Sequence, residues 1–214
     1  TCALPIYEAS YSSPVAATVA GAQRLLFFTR EGLVGLDPTD GKIAFEHPWR
    51  ARIAASVNAA MPLVVGDQVF LTASYNTGGI LLRLKPDGAT KLWSNDDSLS
   101  SQFASAVHHA GFLYGFHGRL DGGRPEFRCV DLKDGRVMWS EERLGPGSVL
   151  LVGSEMVVVQ ESGEILVATP SSKSFTPRAR FQGLGNGARA HPAFAGGRLY
   201  ARDKQQLICL DFTP

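Results

Sequence analysis

Charge of one sign is missing from this chain. Lysine and arginine total 21 against 20 aspartates and glutamates, a formal charge of +1. Acids and bases are interspersed, so no concentrated basic face forms. The electrostatic case for nucleic acid is thereby removed, and none is expected as a partner. Long apolar runs are also missing. None approaches the roughly 18 residues of a membrane-crossing helix, so no membrane span is expected. Cysteine is scarce, with three residues in 214 and no two adjacent. Cys129 and Cys209 lie a whole structural repeat apart, too far for a disulfide. Both are expected to be buried and inert, and they leave the redox compartment undecided. No secretory signal is visible at the start.

What the chain does hold is a repeat. Hydrophobic residues make up 44%, enough for a sizeable core, and 23 glycines with 12 prolines suit a turn-rich all-β chain. Leu25, Val69, Leu113, Met156 and Leu199 each sit in a short apolar run, at steps of 43–44 residues. A period of about 40–50 residues marks a propeller or a solenoid.

The second copy shows the unit. Pro62-Leu63-Val64-Val65 is stopped by Gly66-Asp67, and Val69-Phe70-Leu71-Thr72 by Asn76-Thr77-Gly78-Gly79. Ile80 to Leu84 is stopped by Lys85-Pro86-Asp87-Gly88, and Lys91-Leu92-Trp93-Ser94 closes the unit. Four β-rich runs between Gly, Asp, Asn and Pro breaks predict a four-stranded antiparallel meander. Ile53, Val57 and Met61, and Leu99, Phe103, Ala106 and Val107, have helical spacing. Both stretches fall where other copies have a loop leading into the first strand, and the register favours loop and strand. The expected fold is an all-β partial propeller of four four-stranded blades and a three-stranded fifth. Its blades span about 13–50, 56–96, 103–142, 148–182 and 189–212. Residues 1–12 are expected to be non-native or linker. Thr1-Cys2-Ala3-Leu4-Pro5-Ile6 matches one reading frame of a common sequencing-library adapter, which implies a natural chain that begins further upstream.

Three third-to-fourth-strand linkers share a pattern: Leu36-Asp37 to Gly41 and Phe45, Leu84 to Gly88 and Trp93, and Val130-Asp131 to Gly135 and Trp139. Cys209-Leu210-Asp211 carries the opening of the same motif. The pattern resembles the repeat of the pyrroloquinoline-quinone-type β-propellers, over about residues 14–212, most specifically in the second and third copies. The tryptophan–aspartate propeller repeat fits less well, because no Trp-Asp dipeptide occurs. The Asp-Gly pair makes the turn, and the resemblance implies that the Trp ring packs between neighbouring blades. Trp93, Trp139 and Phe45 are therefore expected to join blades, with Asp37, Gly41, Gly88, Asp131, Gly135 and Asp211 shaping the turns. Trp49 departs from the register and is expected only to cover a loop.

The resemblance also implies a choice of functions. Some members are quinone-dependent dehydrogenases, which need calcium held by oxygen ligands, a carboxylate base and often a pair of adjacent cysteines. Others are outer-membrane assembly lipoproteins, kinase sensors or binding domains. Here the adjacent cysteines are missing, and Asp96-Asp97, Glu141-Glu142, Glu161 and Glu164 show no convergence. His108-His109 would point to opposite faces of a strand and cannot share one metal. Gly183-Leu184-Gly185-Asn186-Gly187 lacks the following helix of a dinucleotide loop. No catalytic or metal-binding residue is assigned. No cofactor is expected in this chain, and pyrroloquinoline quinone with calcium belongs only to the dehydrogenase alternative.

Geometry supplies the remaining candidates. The connector into each first strand lies at a channel mouth. Counting back from those strands gives Ser56, Asn58, Ser100, Gln102, Arg143 and Asn186, a polar set expected to hold a protein or small-molecule ligand. The leading expectation is a non-catalytic binding or scaffold propeller of an exported bacterial protein, periplasmic or extracellular by resemblance. Its partners would include the rest of its own ring, because five copies do not close a circle. An upstream strand is expected to complete the fifth blade. Alone, the chain is expected to be poorly soluble or to associate through its ends.

Overall fold

The computed structural model describes residues 10–51, 53, 57–119 and 123–212. These residues form five antiparallel sheets of four, four, four, four and three strands, each a meander in chain order. The first holds β1 (Val15–Val19), β2 (Ala22–Thr29), β3 (Gly32–Leu36) and β4 (Ile43–Pro48). The second holds β5 (Leu63–Val65), β6 (Gln68–Ala73), β7 (Gly78–Lys85) and β8 (Gly88–Asn95). The third holds β9 (Val107–His109), β10 (Phe112–His117), β11 (Glu126–Asp131) and β12 (Val137–Glu141). The fourth holds β13 (Gly147–Val152), β14 (Glu155–Gln160), β15 (Glu164–Ala168) and β16 (Pro177–Gln182). The fifth holds β17 (Ala193–Ala195), β18 (Arg198–Arg202) and β19 (Leu207–Asp211). Among the described residues no helix occurs, and 57–61 and 99–106 are loop, as the register predicts.

Alternation along each strand sends apolar side chains to both faces of a sheet, so a sheet must be covered twice. Leu26, Phe28 and Phe45 of the first sheet meet Val69, Leu71, Ile80 and Leu82 of the second. The second sheet's other face, with Phe70 and Leu81, meets Leu113, Val130 and Leu132. Tyr114, Phe116, Phe127 and Cys129 of the third meet Met156, Val158, Leu166 and Ala168 of the fourth. Val157, Val159 and Ile165 then meet Leu199 and Ala201 of the fifth. The core is thus a series of slabs between consecutive sheets.

The third-to-fourth-strand turns differ from one another. Residues 37–42 and 131–136 form matching turns in which the Gly41 and Gly135 amides donate to the Asp37 and Asp131 carbonyls. The Asp37 carboxylate accepts from the Thr39 amide, and that of Asp131 from the Lys133 amide. Gly41 and Gly135 take φ of 72° and 76°, the left-handed region open to glycine. Gly88 does not share this role: Lys85 pairs directly with Gly88, and Pro86-Asp87 alone makes the turn. Gly88 is therefore a strand residue outside the left-handed region.

One cysteine departs from expectation. Cys129 is buried, but Cys209 is exposed. The two occupy the same repeat position, and only Cys129 has a fourth strand and a following sheet over it. Burial pushes the Cys129 thiol up to about 11, which keeps it protonated.

Candidate functional site

In a meander, second-to-third-strand loops and connectors to the next sheet emerge at the same end. The described candidate mouth residues lie there, and they are spread over separate places. Ser100 lines a depression of about 420 Å³ between the second and third sheets. Ser74, Tyr75, Asn76, Asp96, Asp97, His117, Gly118 and Arg119 complete it. Gln102, beside it, donates to the Tyr75 hydroxyl at 3.2 Å. Asn186 lines a second depression of about 300 Å³ between the fourth and fifth sheets, with Leu144 to Pro146, Gln160 to Ser162 and Gly187. Asn58 is fully buried and donates to the Thr29 carbonyl at 2.7 Å, so it fastens its connector and faces no solvent. Arg143 is exposed outside both depressions. Ser56 lies outside the described residues.

The larger depression has a rigid floor. The connector from Ser98 to Ser101 threads between two sheets, and most of its polar groups are bonded there, the buried Ser98 hydroxyl alone lacking a partner among the described residues. The Thr72 hydroxyl accepts from the Ser101 amide and reaches the Leu99 carbonyl at 2.6 Å. The Ser101 hydroxyl donates to the Phe116 carbonyl, and that of Ser100 to the Ala73 carbonyl. Arg128 donates to the Asp97 and Ser98 carbonyls and pairs with Glu126. His117 accepts the Ser100 amide at Nδ1, which places its ring hydrogen on Nε2. Burial, reinforced by Arg128, lowers its pKa to about 4. The ring is a neutral donor at physiological pH.

One wall is backbone in an uncommon conformation. Tyr75 and Asn76 are consecutive non-glycine residues at φ of 67° and 58°. Such residues persist where surrounding structure holds them, and they collect at binding sites. Gln102 holds the Tyr75 hydroxyl, and the Arg119 guanidinium lies over the Tyr75 ring, 5.4 Å from its centroid. Aromatic face, cation, carboxylates and neutral imidazole together form a preorganised polar recess suited to hydrogen bonding with a partner's backbone or side chains.

Sequence reasoning missed Thr72, Tyr75, His117 as a mouth residue, Arg128 and Asp203. The Asp203 carboxylate accepts from the Gln205, Gln206 and Gly185 amides, which ties the β18–β19 hairpin to the connector entering the fifth sheet. These hydrogen bonds hold its pKa below the ordinary aspartate range. The Tyr75-Asn76 turn was the one readable signal, since Asn favours the left-handed region.

The aromatic positions lie at sheet boundaries. Trp93 stands opposite Leu81, and its indole N–H donates to the Leu132 carbonyl of the next sheet at 2.8 Å. Its ring sits 5.8 Å from Phe70 and directly against the Gly135 backbone. Trp139 stands opposite Cys129, donates to the Ser171 carbonyl and lies against Tyr114, Phe127 and Phe175. Phe45 covers Gly35 within the first slab. Trp49 stacks on Phe28 at 5.8 Å and 24°, packing against that slab as well as closing a loop. Asp211 pairs with Arg198 at 3.6 Å.

Among the described residues no three His, Cys, Asp or Glu side chains converge.

A family model described as the outer membrane protein assembly factor BamB matches residues 7–142. No curated protein sequence matches the chain. Among solved structures, BamB from Moraxella catarrhalis superposes with a TM-score of 0.68 at 15% identity, covering 97% of this chain and 59% of that one. The computationally designed Ika8 protein gives 0.65 at 12% identity, over 92% and 57%. A chain of the nidogen/laminin complex gives 0.56 at 15% identity, over 88% and 72%. This chain thus spans somewhat over half the length of the Moraxella protein. Repeat, sheet order and family match agree: the chain belongs to the family of the outer membrane protein assembly factor BamB.

Proposed function

We propose that this chain is a non-catalytic scaffold propeller of the bacterial envelope, exported to the periplasm, which holds partner proteins at the connector end of its sheets. The observation that carries the reading is the family match across the first three sheets. The recess between the second and third sheets lies within that matched stretch. It supports the reading because its polar groups are prepositioned by Thr72, Gln102 and Arg128, so a partner would bind with little ordering cost.

The test places a photo-reactive amino acid at Asn76, on the rim, in the chain exported to the periplasm of a Gram-negative host. Adducts with proteins of the outer-membrane assembly machinery are expected, and they should vanish when the probe moves to Lys91 on an outer strand. Equal labelling from both positions overturns the reading. The dehydrogenase alternative is tested by calorimetric titration with pyrroloquinoline quinone and calcium. No heat is expected, and saturable heat with reduction of a dye acceptor would replace this reading.

A further inference from the structure

The recess between the second and third sheets has a counterpart. The depression that holds Asn186 occupies the same place between the fourth and fifth sheets, and its polar groups are spent on one another. Glu161 pairs with Arg189 at 2.7 Å, its carbonyl accepts the Gly187 amide, and the Ser162 hydroxyl donates to the Gln160 side chain. The first recess keeps groups in reserve. Ser74 lines it at 2% exposure, and among the described residues no hydrogen bond engages its hydroxyl. A polar group buried to that degree is normally satisfied, so this one is placed for something that enters the recess. His117, with Nδ1 taken by the Ser100 amide, offers only its Nε2 hydrogen. The exposed Asp97 carboxylate lines the same recess, close enough for its charge to act on that ring.

The sign of charge here is mixed. The charged lining residues are Asp96, Asp97 and Arg119. An anion would face two carboxylates. A cation would face the Arg119 guanidinium and an imidazole that can only donate. The reserve groups suit a neutral ligand that donates and accepts from the same atom, and a hydroxyl is that group. Ser74 can donate to it or accept from it, His117 donates, and a carboxylate such as Asp97 accepts from two neighbouring hydroxyls at once. Tyr75 is the aromatic wall, held by Gln102 and by Arg119. The volume of about 420 Å³ falls in the range of small-molecule sites, roughly 300–1,000 Å³.

We propose that this recess binds a saccharide ring, a neutral hydroxyl-rich ligand seated on Ser74, His117 and Asp97. The inference shares with the preceding reading only that the recess is a binding site. Cross-linking from Asn76 tests the protein partner, whereas a sugar titration of the purified chain needs no partner protein, so either can fail alone.

Saturation-transfer difference NMR on the full chain at about pH 6 supplies the test. Methyl β-glucoside, glucuronate and glucosamine share one ring and differ in charge. The neutral glucoside should bind in the millimolar range, and the two charged rings about tenfold more weakly or worse. Ser74→Ala should weaken the glucoside about fivefold or more. Asp97→Asn should weaken it too while admitting glucuronate, a signature that loss of folding cannot produce. Lys91→Ala, on an outer strand, should change nothing. Diacetylchitobiose and its tetramer separate the two sources of such a ring: affinity that grows with length indicates a polymeric glycan, and equal affinity a free sugar. No transfer to any neutral sugar at about 50 mM overturns the proposal. So does equal binding of the charged rings or of N-acetyl-triglycine amide, or an unchanged affinity in both variants.

Discussion

Trp93 is fixed from both of the sheets it joins. Phe70 of its own sheet lies beside it, and the next sheet offers the Leu132 carbonyl and the bare backbone of Gly135. An alanine there loses a half-buried ring and a hydrogen bond together. Trp93→Ala is expected to cost about 3–5 kcal/mol in urea unfolding, and Trp139→Ala a similar amount. Gly135→Ala tests the same seat from the other side. A Cβ at Gly135 would lie 2.9 Å from the Trp93 ring at a φ of +76°, so steric and backbone strain add. A loss of about 1–3 kcal/mol is expected, against a few tenths for Gly88→Ala, where nothing crowds the added carbon. A second residue-scale expectation concerns acid. Burial is the first cause of the lowered pKa at His47, His108, His117 and His191, and at His117 the pKa falls to about 4. Each takes up a proton more readily when unfolded than in the fold. Stability is therefore at its full value above about pH 6.5 and is lost as pH falls toward 4. Urea midpoints measured from pH 8 to 4 should decline over that window, and His117→Gln should flatten part of the slope.

At the scale of strands and sheets, the fifth sheet is the weakest unit. Among the described residues it has three strands, one covered face and an exposed Leu207. Leu199→Ala, in the slab it shares with the fourth sheet, is expected to open this sheet alone. Amide exchange should accelerate in β17 to β19 and remain slow in β6, β7 and β10. Asp203→Ala should have a smaller effect in the same place, since it releases the hairpin from the Gly185 connector. Element positions were legible in the sequence because the period repeats and because Gly, Asp, Asn and Pro punctuate each copy. Trp93 and Trp139 recur at one register position, and their packing between sheets was an expectation of the family resemblance that the spacing alone did not carry. The mouth was less so. Counting back along connectors placed Ser100 and Gln102 beside the recess, but Asn58 turned inward to Thr29, and Arg143 fell outside both depressions. Position along a connector does not determine which way a side chain turns. Cys209 misled because burial in a repeat depends on a neighbour, and identical residues at one position carry no sign of its absence.

For the molecule as a whole, the decisive fact is that among the described residues cohesion runs between consecutive sheets. Each of the four hydrophobic slabs joins one sheet to the next, so stability behaves as a sum of sheets and nearest-neighbour interfaces. Inner sheets are covered twice, and the described fifth sheet once. Its outward face combines apolar Tyr200 and Leu207 with the unpaired edge of β19, and exposed edges of that kind recruit other chains. Light scattering on this chain should therefore give an average mass that rises with concentration. Leu207→Lys combined with Tyr200→Lys places two charges on that face while leaving every inter-sheet slab untouched, so it should lower the average mass toward that of one chain without lowering the melting temperature. Arg83→Glu, on the outer surface of the second sheet, should change neither. A wild-type chain that stays monodisperse across concentration and melts in one cooperative step would mean that the fifth sheet is stable with one face open, and the nearest-neighbour account of this row of sheets would fail.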